Sequence, residues 1–164
     1  MITVLFVDDN TDPVGRVRQF LEKSGDIRLD TVTTFKQAAE KFRHRSYDVV
    51  VSYADLPSVN GIEFVDSMDG IAFLRTLRSS GNPVPVILYS HRSGDRLVLQ
   101  EVAAGSEVAL PAGGELRPAF EEIATLIKGT MLKKKAERET KAQNEQLAAI
   151  LSATPLGIFQ ARNG

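Results

Sequence analysis

Cysteine is absent from all 164 residues, which excludes disulfides, thiolate nucleophiles and cysteine-based zinc sites. An excess of charge of either sign is absent as well, because 20 basic residues stand against 21 acidic ones for a net of −1. No bulk field therefore draws the chain to nucleic acid or to a membrane surface. The longest apolar runs fall far short of the roughly 18–20 residues needed to cross a bilayer. The N-terminus, MITVLFVDDN, has no basic segment ahead of its apolar run and meets two aspartates directly after it. It reads as a strand and not as a signal peptide. No G-x-G-x-x-G or Walker pattern occurs, and Ala112-Gly113-Gly114 is too short for a phosphate-binding loop. What is present is an ordinary globular composition, 43% hydrophobic and 25% charged, with length for one domain and some extra. The expectation is a soluble, cytoplasmic chain.

Strand and helix patterns alternate along it. Residues 2–7 (ITVLFV) form the continuous apolar run of a strand covered on both faces. Residues 13–24 read as a helix with Val14, Val17, Phe20 and Leu21 on one side, and residues 27–32 (IRLDTV) alternate like a strand. Thr34 is placed to cap a helix running to about Arg45, with Ala38, Ala39 and Phe42 inward. Then come a strand at 48–52, a helical segment from about Asn60, and a strand at 84–89 (VPVILY). A helix from about 94 to 104, a short strand at 107–110 and a last helix from about 115 complete the order. Such alternation implies βαβ units and a parallel sheet with helices on both faces. Five units predict an α/β, flavodoxin-like, doubly wound sheet of strand order 2-1-3-4-5 with a long C-terminal helix. In such folds function gathers at the carboxyl ends of the strands, near the point where strand order reverses.

Two stretches depart from this regularity. NGIEFVDSM (60–68) and DGIAFLRTL (69–77) form a nine-residue tandem repeat. Ile62, Val65, Met68, Ile71, Leu74 and Leu77 recur every third residue, which permits one long helix; Asp69 and Gly70 argue for a break. The break is the favoured reading, with the first copy an extra turn or loop beside the site. Near the C-terminus, Ala136, Thr140, Gln143, Leu147, Ile150 and Thr154 follow the 4-3-4-3-4 spacing of a weak coiled-coil seam. A helix leaving the domain and pairing with a second copy is expected, ended by Pro155. The run Lys133-Lys134-Lys135 reads as a solvated helix face. The expected organisation is a domain over 1–128, a helical linker over 129–152, and at 153–164 the start of a further domain that the chain does not complete.

The stretch YDVVVSYADLPSVNG (47–61) opens a buried strand into a tyrosine just before Leu56-Pro57. Together with Asp8-Asp9 after the first strand, Pro57 and Gly61 after the third, Ser90 ending the fourth and AGSEVALPAGGE (104–115), it resembles a response-regulator receiver domain over residues 1 to about 128. The tail AILSATPLGIF (149–159) resembles the entrance to a PAS sensor domain. The resemblance implies a module of a multidomain sensor protein or hybrid histidine kinase. It further implies a phosphoacceptor aspartate at the end of the third strand, Mg²⁺ on the first-strand acidic pair, and a lysine in the fifth loop. A hydroxyl ending the fourth strand and a switching aromatic on the fifth complete the set.

Carried over position by position, the acidic pair falls on Asp8 and Asp9 and the hydroxyl on Ser90. The phosphoacceptor, four residues before the proline, falls on Tyr53; the lysine falls on Ala112, or on Pro111 if the loop shifts by one; the aromatic falls on Ala109. A tyrosine hydroxyl, with an unperturbed pKa of about 10, is almost wholly neutral at pH 7 and is a poor phosphoacceptor. Without the lysine nothing neutralises a bound phosphoryl group, and without the aromatic Ser90 has nothing large to release. The expectation is a non-catalytic, degenerate receiver acting by contact with other signalling domains or a histidine kinase, or as a homodimer through its C-terminal helix. It is expected to need no cofactor, with Mg²⁺ weak or absent at Asp8 and Asp9. Those two carboxylates repel unless given a cation or donors, and Tyr53 or Arg92 is the expected substitute for the metal. Tyr53 is equally readable as an aromatic lid, and His91 as a solvated loop residue or an obstruction to phosphoryl entry. One alternative is an active receiver using Mg²⁺ and either another carboxylate or Asp55, at a position that the family pattern assigns to a metal-binding backbone carbonyl. A second is a flavodoxin-like small-ligand binder.

Overall fold

A computed structural model describes residues 1–8, 11–53, 70–89, 107–109 and 116–153. Within them lie strands β1 (Ile2–Val7), β2 (Ile27–Val32), β3 (Val49–Tyr53), β4 (Val86–Tyr89) and β5 (Glu107–Ala109). The described helices are α1 (Thr11–Glu22), α2 (Phe35–His44), α3 (Gly70–Ser79) and α4 (Leu116–Ala153). β2, β1, β3 and β4 pair in that order, and the three-residue β5 extends the sheet on the β4 edge. Every pairing is parallel. The crossovers place consecutive strands β2 and β3 on opposite sides of β1, so the strand order reverses between β1 and β3.

Strand burial follows the sequence pattern. Val4–Val7 of β1, Val49–Val51 of β3 and all of β4 are buried, as continuous apolar runs require. On one face Leu5, Val7, Val50, Val86 and Leu88 pack with Ala38 of α2 and Phe73, Leu74 and Leu77 of α3. The alternate residues Val4, Phe6, Val49, Val51, Ile87 and Tyr89 are buried too, and alternation sends them to the opposite face. Also buried among the described helical residues are Val17 and Leu21 of α1 and Ala119, Phe120, Ile123 and Ile127 of α4, with Phe20 and Phe120 in ring contact.

Local chemistry sets the element ends. The Thr34 side chain accepts from the Gln37 N–H at 3.2 Å, while Gln37 Oε1 accepts from the Thr33 N–H at 2.9 Å. This reciprocal cap satisfies two donors at the start of α2. At the end of α3, Gly81 adopts φ +78°, and its N–H and that of Asn82 return to the carbonyls of Arg78 and Leu77 at 3.1 and 3.0 Å. That left-handed closure favours glycine and turns the chain back toward β4. Asp48 accepts from the N–H and the hydroxyl of Thr3, both at 2.9 Å, which ties the start of β1 to the start of β3.

The chain divides into two compact units, Met1–Lys128 and Gly129–Gly164. The described part of the second is the C-terminal stretch of α4, where Leu132, Leu147, Ile150 and Leu151 are exposed. Described α3 begins at Gly70; the first copy of the tandem repeat, 60–68, and the helix expected at 94–104 lie outside the described residues.

Candidate functional site

The carboxyl ends of β1, β3 and β4 carry three polar side chains at one level. Val7 is in register with Ser52, and Tyr53 with Tyr89, so Asp8 follows β1 at the height of both tyrosines. Side-chain alternation then sends Asp8, Tyr53 and Tyr89 to the same face, two residues beyond the level of Phe6, Val51 and Ile87. Asp8 is 2% exposed and Tyr89 1%. A carboxylate this deep needs donors or a cation.

Its described side-chain donor is Tyr89, whose hydroxyl donates to Asp8 Oδ2. The Asp8 backbone N–H donates to the Val32 carbonyl at 3.1 Å, which holds the residue at the strand end. Because β3 lies between β1 and β4, the Tyr89 side chain crosses the end of β3 to reach Asp8. Phe6 stacks on its ring at 5.6 Å with planes 26° apart, and the Tyr53 ring meets it edge-on at 5.6 Å and 70°. Tyr53 therefore packs as an aromatic against the tyrosine that serves Asp8.

Ser52, fully buried, donates its hydroxyl to the Tyr53 carbonyl at 3.1 Å. Close by is Gly70, the first residue of α3. A Cβ there would stand 2.5 Å from the Tyr53 carbonyl oxygen and 3.0 Å from Ser52 Oγ. Only glycine lets α3 start this near the end of β3.

The family model for the response regulator receiver domain matches residues 4–111. The chain belongs to the receiver family. It is 22% identical over 149 residues to response regulator Rre1 of Synechocystis sp., covering 91% of this chain and 60% of that protein. It is 29% identical over 157 residues to a protein-glutamate methylesterase/protein-glutamine glutaminase of Rhizobium etli, covering 93% of this chain and 40% of that protein. The chain thus spans about half the length of these curated relatives. Among solved structures, the receiver domain of Francisella response regulator 1452 superposes with TM-score 0.64 at 20% identity, covering 82% of this chain and 99% of that one. The response regulator domain of Thermotoga maritima CheB does so with TM-score 0.62 at 19% identity, covering 80% and 96%.

In this receiver, Tyr53 stands at the end of β3 and Asp8 directly after β1. Ala109 closes β5 in register with Tyr89 of β4. Asp9, Asp55, Ser90, His91, Arg92, Pro111 and Ala112 lie outside the described residues. Tyr89 is the site residue that sequence reasoning passed over, having read it as the last apolar position of a strand. The signal was available: a tyrosine ending a buried strand must bury its ring and still satisfy its hydroxyl. Mg²⁺, which the family resemblance implies, seeks an octahedral shell of oxygens with several waters. The described residues offer one carboxylate whose oxygen already accepts a phenol hydroxyl, and no grouping of three or more His, Cys, Asp or Glu occurs among them. Among the described residues, which do not include Asp9, that donor set falls short of the ion's shell.

Proposed function

We propose that this chain is a non-catalytic signal-transduction module, a receiver of two-component signalling that is not phosphorylated at the usual position. The observation that carries the reading is the side chain at the phosphoacceptor position. Tyr53 brings a neutral hydroxyl where phosphoryl transfer needs an anionic oxygen, and its ring is spent on packing against Tyr89. The replacement of the fifth-loop lysine by Ala112 or Pro111 supports the same reading.

Signals then pass by contact. The proposed partners are a histidine kinase or other signalling domains of a longer, cytoplasmic sensor protein, with a PAS-like domain beginning at 153–164. The exposed Leu147 and Ile150 on the seam of α4 support pairing with a second copy through that helix. No cofactor is required in this reading.

Incubation with acetyl phosphate and Mg²⁺ followed by intact mass measurement tests it. The expected spectrum shows the unmodified chain alone. A gain of one phosphoryl group would overturn the reading, and peptide mapping to Asp55 would establish the active-receiver alternative. A co-purified small molecule seen in the same spectrum would favour the ligand binder.

A further inference from the structure

We infer that Tyr89 is a built-in plug: its hydroxyl takes the Asp8 oxygen that a divalent cation would coordinate, and this closes the crevice to metal. The inference rests on the receiver reading above and adds a residue and a mechanism to it.

Position comes first. β1 and β4 flank β3, so their ends stand two strand spacings apart, roughly 9–10 Å. Asp8 and Tyr89 are 81 residues apart in sequence, yet the phenol hydroxyl reaches the carboxylate. To do so the ring must lie over the end of β3, across the space in front of position 53. A hydrated cation bound by Asp8 would need that same space.

The ring is also held there. It is 1% exposed, stacked by Phe6 from β1 and met edge-on by Tyr53 from β3. Moving the hydroxyl off Asp8 means disturbing two aromatic contacts and wetting a buried ring. Chemistry completes the case. A phenol hydroxyl bound to a carboxylate forms a charge-assisted hydrogen bond. Mg²⁺ or Mn²⁺ at Asp8 would need the carboxylate together with room for waters. Tyr89 in this rotamer competes with a hydrated cation for the Asp8 carboxylate and for the space before position 53.

Giving position 53 a carboxylate supplies the missing ligand but leaves Asp8 plugged, so Tyr53→Asp alone recovers little cation binding. Tyr89→Phe keeps the ring and removes only the hydroxyl. The double substitution therefore binds Mn²⁺ at least tenfold more tightly than Tyr53→Asp, as read by isothermal titration of the full chain. Melting of Tyr89→Phe alone gives a second readout that depends on no change at position 53. Its Tm falls without metal and rises with millimolar Mg²⁺, whereas the wild-type Tm does not move.

Equal Mn²⁺ affinity in Tyr53→Asp and in the double variant overturns the plug. So does an identical Mg²⁺ response of wild type and Tyr89→Phe, including no response in either. Failure here is distinct from failure of the phosphorylation reading, which is decided on the wild-type chain by mass.

Discussion

Gly70 has no side chain because the end of β3 leaves no space for one. Alanine is the better helix former by about 1 kcal/mol. Its Cβ would nevertheless press within 2.5 Å of a backbone oxygen and 3.3 Å of Leu88 Cδ2. Overpacking against backbone costs about 1–3 kcal/mol and outweighs the helical gain. Gly70→Ala is expected to lower stability by about 1 kcal/mol, seen as a lower urea midpoint with an unchanged slope. A neutral or stabilised variant would mean that α3 withdraws from β3 at no cost. At the same scale, the Asp8 carboxylate and the Tyr89 hydroxyl answer one another: the first is too buried to stand alone, and the second is a polar tip on a buried ring.

The elements divide into those that build the sheet's two covers and one that changes character along its length. α4 buries Ala119, Phe120, Ile123 and Ile127 at helical spacing, then exposes Leu132, Leu147, Ile150 and Leu151 beyond Lys128. Apolar side chains at 147 and 150 sit three apart on one helix face, as a two-helix seam requires. The intervening seam positions Thr140 and Gln143 are polar, so self-association should be weak and concentration-dependent. Sedimentation equilibrium of the full chain at tens of micromolar should show a monomer–dimer exchange. The double substitution Leu147→Glu with Ile150→Glu should weaken it at least tenfold without altering the melt of the first unit. A wild-type chain that stays monomeric would remove the pairing from the proposed function.

A cluster on edge strand β2 contributes to how stability varies with pH. The Tyr47 hydroxyl donates to Asp30 at 2.7 Å and the Arg45 guanidinium stands 2.9 Å from the same oxygen, joining edge strand β2 to the segment between α2 and β3. Burial, then the bond to Asp30, pushes the Tyr47 hydroxyl up to about 12 from its ordinary 10.0. Burial works against the Asp30 charge, but the Tyr47 hydroxyl and Arg45 overcome it and hold the carboxyl below its ordinary 3.8. The raised tyrosine contributes stability that is complete below pH 10 and is lost as pH climbs to about 12. The lowered aspartate contributes stability above about pH 3.8 that is lost as pH falls further. Tyr47→Phe should cost about 1–2 kcal/mol at pH 7. Its deficit relative to wild type should shrink between pH 10 and 12, measured by urea midpoints across that window.

Much of this was legible locally. Continuous apolar runs marked β1, β3 and β4 as strands covered on both faces, Thr34 marked the start of α2, and strand–helix alternation implied a parallel sheet. The spacing from Tyr53 to Pro57, on which the proposed acceptor position rests, is a count along one short stretch. Such features depend on neighbours within a turn or a strand, so the chain alone carries them.

The donor to Asp8 is of another kind. The sequence names Tyr53 and Arg92, and nothing local adds Tyr89, the last residue of an apolar strand. The Tyr89 contact follows from parallel register, from β3 lying between β1 and β4, and from a ring long enough to cross it. Sequence by itself determined that a tyrosine, Tyr53, stands four residues before Pro57 at the mouth of the third strand. Tertiary structure decided that the Tyr89 hydroxyl faces Asp8, because that depends on distances between strands which no stretch of chain encodes alone.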